Sequence, residues 1–235
     1  MSCSIETCAI KYNNQGVYFL KCGLYDEAVS AFTESLFMAK RLMAMYQECY
    51  DAAGHTQTRK CDESYCLRPY CDFVQLKSSP YMESNSRRGF IFSSPIEVHD
   101  DLEGAPMHCY LRMSFIVMFN LAISHHLLAM SNQDRMTQID NLEKATRLYQ
   151  LAYGIHMQED VNISVYQTIP IVNNLSQVHY SLGNYRDANV CCKNLLTTLV
   201  FLRACGEDKT VDNLDGFYSN VMHLVLQDRQ VATAA

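Results

Sequence analysis

Three cysteines, Cys61, Cys66 and Cys71, stand five residues apart, with His55, His99 and His108 in the same region. Thiolate sulfur and imidazole nitrogen are the donors of structural zinc sites, but such sites are commonly nucleated by a tight Cys-x2-Cys knuckle. That knuckle is missing here, so reduced thiols are the leading expectation and Cys61, Cys66 and Cys71 a secondary metal set. No nucleophile motif surrounds any cysteine. The chain also lacks GxGxxG, Walker, HExxH and GxSxG patterns, and nine glycines in all leave a phosphate-cradling loop few places. His125 and His126 are consecutive, so on a helix they point about 100° apart and suit a helix–helix boundary better than one metal ion. No catalytic residue and no cofactor is expected.

The elements that carry these residues follow from composition. The 235 residues (26.9 kDa) are 49% hydrophobic, with 9 Gly and 5 Pro. So few breakers argue against sandwiches, barrels and glycine-rich nucleotide folds, and for long helices. A net charge of −6 argues against a general nucleic-acid binder. The N-terminus is polar, with no basic patch before an apolar run, so no secretory signal is expected. The most apolar stretch, 113–123, contains Asn120 and runs into Ser124-His125-His126; it reads as a buried core helix and not as a bilayer span. These features predict an intracellular protein, cytoplasmic or nuclear, with no membrane partner. They also predict that the eleven cysteines are free.

Periodicity divides the chain into helix pairs. Residues 4–49 predict a first pair, with Ile5, Ala9, Tyr12, Gly16, Phe19 and Leu20 on one face of its first helix. Gly23 is placed to supply a left-handed C-cap, and Ala28, Phe32, Leu36 and Ala39 form the buried face of the second helix. Residues 50–106 hold four of the five prolines and read as an irregular insertion. Within it, 71–76 and 89–92, the latter leading into 95–98, alternate as strands do and predict a small β-hairpin. Helical patterns return at 107–158 and 163–206, the second and third pairs, with Pro170 marking a kink or a later helix start. A helix at 212–227 would cap the end. The expected fold class is all-α, a single helical domain over 1–235.

Two of these pairs repeat. Residues 16–36 lie over 176–196 without a gap, Gly23-Leu24-Tyr25-Asp26-Glu27-Ala28 falling on Gly183-Asn184-Tyr185-Arg186-Asp187-Ala188 and Phe32 on Cys192. The small residue of the first helix, Gly16 or Ser176, precedes the alanine of the second by twelve. Antiparallel helices approach closely where small side chains face each other, and the aromatic fills the next space. This pattern resembles the tetratricopeptide repeat (TPR), a helix–turn–helix unit stacked into a right-handed superhelix. The resemblance covers 9–40 and 169–200 well. The middle pair departs from it: Ala145 follows Ala122 by 23 positions, which places about eleven extra residues in the turn, while Ala145, Tyr149 and Ala152 keep the expected steps. Three units and a capping helix suffice for a stable stack.

Each unit has an asparagine two positions before its first small residue: Asn14, Asn120 and Asn174. In TPR proteins the first helices line the concave groove, and the resemblance implies an asparagine ladder that hydrogen-bonds the backbone of an extended peptide. The plainer reading is that these amides satisfy local backbone. Asn13, Lys11, Val17, Asn173 and Gln177 would belong to the same groove. The basic clamp for a terminal carboxylate is absent, its positions holding Asn13, Phe119 and Asn173, with Lys11 and Arg112 as partial substitutes. The expectation is a non-catalytic adaptor or scaffold binding a protein or peptide segment. The alternatives are a metal-regulated or catalytic module built on the insertion, and homo-oligomerisation through 109–130.

Overall fold

The structure, a computed structural model, describes residues 5–52, 89–98, 107–157, 165–206 and 214–222. These form seven helices and one extended segment: α1 (Ile5–Lys21), α2 (Tyr25–Ala52), α3 (Met107–Ser131), α4 (Arg135–His156), α5 (Val165–Ser181), α6 (Tyr185–Ala204) and α7 (214–222). The protein is all-α. Helices α1 to α6 pack in chain order, each against the next.

The turns explain the pairing. Gly23 and Gly183 have φ of +76° and +80°, the left-handed region where a side chain is strained. At both turns the chain closes in the same way. Leu24 N–H donates to Phe19 C=O at 3.0 Å, and Asn184 N–H donates to His179 C=O at 2.8 Å, six-residue Schellman closures that end a helix sharply. Behind the first turn Gly16 faces Phe32, whose ring would stand 2.7 Å from any Cβ at position 16. Ala28 and Phe32 are fully buried there, as are Ala122, Ala145 and Tyr149 in the second pair.

The second pair corrects the expectation of an enlarged turn. Residues 132–134 connect α3 to α4, the same length as 22–24. The extra residues lengthen the helices instead. Helix α3 runs nine residues past Ala122, where α1 runs five past Gly16; α4 begins ten before Ala145, where α2 begins three before Ala28. The additions are four and seven residues, close to one and two whole turns at 3.6 residues each, so the buried faces keep their phase. Asp134 caps the new start, its carboxylate accepting from Thr137 N–H at 2.8 Å.

Helix α3 is the core helix. Its span 111–131 is long and apolar enough to cross a bilayer by composition, yet 83% of its most apolar window is buried inside the fold, packed between α2 and α4. Helix α5 continues unbroken through Pro170.

Of the expected hairpin, only 89–92 and its continuation into 95–98 fall on described residues. Among the described residues there is no β-strand, and 71–76 lies outside them. Residues 89–92 and 95–98 extend as parts of one segment. Alternation reports an extended chain with unlike faces, and side chains can supply the pairing that a second strand would.

Candidate functional site: an asparagine-lined groove

The extended segment 89–98 lies across the first helices of the pairs and across α7. An asparagine carboxamide is planar, with one acceptor and one NH2 group side by side. It can therefore hold both the N–H and the C=O of one extended residue, as a neighbouring strand does. Four asparagines do so. Asn220 of α7 accepts from Phe90 N–H and donates to Phe90 C=O, both at 2.6 Å. Asn174 of α5 holds Phe92 at 2.8 Å in both bonds. Asn120 of α3 holds Ile96, again at 2.8 Å in both. Asn14 of α1 holds Val98, accepting at 3.0 Å and donating at 2.6 Å. The segment thus runs from α7 to α1, opposite to the order of the helices.

All four held residues are even-numbered, which is the period of an extended backbone. Pro95 has no N–H, and it stands at an odd position, out of phase with the ladder.

Asn13 and Asn173 link the rungs. Asn13 donates to Asn14 Oδ1 (3.0 Å) and Ile96 C=O (3.2 Å) and accepts from Asn120 (2.9 Å). Asn173 repeats the arrangement, donating to Asn174 Oδ1 and Phe90 C=O (both 3.1 Å) and accepting from Asn220 (2.7 Å). Asn174 also donates to the Tyr149 hydroxyl at 2.9 Å, which anchors the amide to the α3–α4 pair. Asn13, Asn120, Asn173, Asn174 and Asn220 are all at most 2% exposed. Each amide is oriented by its bonds, since a flip would set NH2 against N–H.

Side chains of the segment fill apolar space. Phe92, 1% exposed, lies 6.1 Å from the Phe217 ring and 6.3 Å from that of Phe119, and Phe90 meets Phe217 edge-on at 5.3 Å. Gly216 admits Phe90, because a Cβ there would stand 2.7 Å from the ring. Gly89 begins the segment at φ +75°, and any Cβ would collide with Gln177. Among the described residues the one charged contact is peripheral: Lys21 Nζ pairs with Glu97 at 3.2 Å, both partners solvent-exposed in large part.

Of the residues the sequence singled out, Asn14, Asn120 and Asn174 come together as rungs, Asn13 and Asn173 as links, and Gln177 against the segment's start. Lys11 is exposed and Val17 is buried, and neither takes part in the ladder's hydrogen bonds. Sequence reasoning missed Asn220, because α7 reads as a plain cap and Met222 stands where the other units have a small residue. Cys61, Cys66 and Cys71 lie outside the described residues, and among those described no three His, Cys, Asp or Glu converge on a metal position.

The histidines sit at the α3–α4 boundary. His125 Nδ1 is 2.8 Å from Asn141 Oδ1, and burial lowers its pKa despite that bond. His126 is fully buried with its ring edge-on to Tyr149, and neither nitrogen has a hydrogen-bond partner; burial lowers its pKa to about 3. Burial likewise pushes the Cys191 thiol up to about 12, where it is no nucleophile at neutral pH.

No family model, curated protein or solved structure matches this chain. Its own geometry therefore carries the functional reading.

Proposed function

We propose that this chain is a TPR-like stack of helix pairs that acts as a non-catalytic interaction module, an adaptor or scaffold, binding an extended segment of a protein partner in a concave groove. The observation that carries the reading is the four-rung ladder, in which side-chain amides hold the backbone of alternate residues. Backbone recognition supplies affinity for any extended peptide, while apolar pockets between the rungs supply selectivity. The buried amide network fixes the rungs beforehand, so binding loses little entropy on the receptor side. Such a module serves in the cytoplasm or nucleus, without cofactor, membrane or nucleic acid.

The test uses the chain with its own segment weakened, Phe92→Ser together with Ile96→Ser, panned against a library of ten-residue peptides. Selected peptides are expected to carry apolar residues at alternate positions and to lose at least tenfold in affinity when Asn120→Ala or Asn174→Ala is added. A folded protein that selects no peptide, or peptides indifferent to both asparagines, would sink the reading.

A further inference from the structure

We propose that residues 89–98 are an intramolecular pseudo-ligand, and that the partner is a peptide of the same pattern that gains the groove by displacing them. This rests on the peptide-groove reading above. The pattern is read from the occupant: aromatic residues at the places of Phe90 and Phe92, aliphatic residues at those of Ile96 and Val98, and a proline accommodated just before the third. The peptide enters with its N-terminus at α7 and its C-terminus at α1, as the rungs dictate.

Three observations distinguish a tenant from a fixed strand. Every rung bond to the segment comes from a side chain, so its departure leaves the helical hydrogen bonds whole. Helices α1 to α6 each touch the next directly, although Ile91, Phe92 and Val98 of the segment share their buried core. The amides grip backbone only, so a different extended chain satisfies them equally. What holds the segment is its apolar side chains in the space around Phe119 and Phe217. An empty groove would leave those rings in water, which favours exchange of one occupant for another over simple vacancy.

Tethering makes the exchange a gate. A segment attached at both ends rebinds at high effective concentration. A competitor's apparent affinity then falls by the fraction of time the groove is open, so a groove open one part in about a hundred weakens it about a hundredfold. Modification or capture of the segment elsewhere would raise affinity without changing any groove residue.

The experiment measures binding of a fluorescein-labelled synthetic peptide of residues 89–98 to the full chain, wild type and Phe92→Ser/Ile96→Ser. Hydrogen exchange of the wild-type amides at 90, 92, 96 and 98 is followed in parallel. The expected result is at least tenfold tighter binding by the double variant, lost again with Asn174→Ala. The segment's amides should also exchange at least tenfold faster than those of the α3 core. Equal binding by wild type and variant would overturn the gate and leave the groove reading standing. A folded variant that binds nothing would overturn both. If the variant unfolds, exchange decides: local opening supports the gate, and exchange only with global unfolding makes the segment part of the core. A concentration-dependent wild-type dimer that fails to take up the peptide would make a second copy the occupant and overturn the proposal.

Discussion

At the residue scale the asparagine is used for what no shorter or charged side chain offers, a donor and an acceptor one peptide-width apart. Aspartate has no NH2, and Gln would place the pair one methylene further out. Asn174 carries the most, holding both Phe92 bonds and the Tyr149 hydroxyl in a fully buried setting. Asn174→Ala leaves four buried polar groups, the Phe92 N–H and C=O, the Tyr149 hydroxyl and the Asn173 amide, short of a partner, at about 1–3 kcal/mol each before relaxation. Urea unfolding is expected to show a loss of about 2–4 kcal/mol, with a smaller loss for Asn14→Ala, whose site is only half-buried. Equal losses at the two positions would contradict this ranking. His126 gives a pH prediction. Its folded pKa, about 3, lies below the ordinary value of 6.5, so the unfolded chain binds a proton that the folded chain refuses. Stability from this group is complete above pH 6.5 and falls as pH drops towards 3, by about 1.4 kcal/mol per pH unit. His125 and His179 shift in the same direction and add to the slope. His126→Leu should reduce the acid slope by about one proton and, by removing two unpaired nitrogens, raise stability at neutral pH. An unchanged slope in denaturant titrations from about pH 6 to about pH 4 would exclude the group.

At the element scale, whole turns are the unit of tolerated change. The second pair gained four residues in α3 and seven in α4 without losing register, because those lengths return the helix close to its starting angle. The insertion was visible in the spacing of Ala122 and Ala145. Its location was not, since spacing alone cannot separate a longer turn from longer helices. The α1–α2 seam tolerates less. A Cβ at position 16 would sit 2.7 Å from the Phe32 ring, which is itself fully buried and has little room to yield. Gly16→Ala is expected to cost about 1–3 kcal/mol through overpacking, although alanine is the better helix former. Thermal unfolding checks the sign: a raised midpoint would mean that the ring finds another position.

At the scale of the whole molecule, the groove is neutral while the chain carries a net charge of −6. Amides and apolar side chains hold the segment, and the Lys21–Glu97 pair at its edge is exposed enough to contribute at most about 1 kcal/mol. Peptide binding is therefore expected to change less than about threefold between roughly 0.05 and 0.5 M salt, where the Debye length shrinks severalfold. Lys21→Ala should leave it nearly intact. A steep salt dependence measured by fluorescence anisotropy would place charge in the site and contradict the amide-ladder account.

The sequence by itself determined the helix pairs, the glycine turns of the first and third, the small-residue seams and the phase of Asn14, Asn120 and Asn174. All of these are local or periodic properties, fixed by spacing along one helix. Its alternation also marked 89–98 as extended, but the natural partner of an extended run is another strand, and nothing local says otherwise. Only tertiary structure decided that four helices separated by up to two hundred residues converge on that run. It alone enlisted Asn220, which lacks the small neighbour of the other rungs, and it left Lys11 and Val17 outside the ladder's hydrogen bonds. The reason is physical: a backbone N–H donates and a C=O accepts with any partner of suitable geometry, and which one arrives depends on how the helices stack.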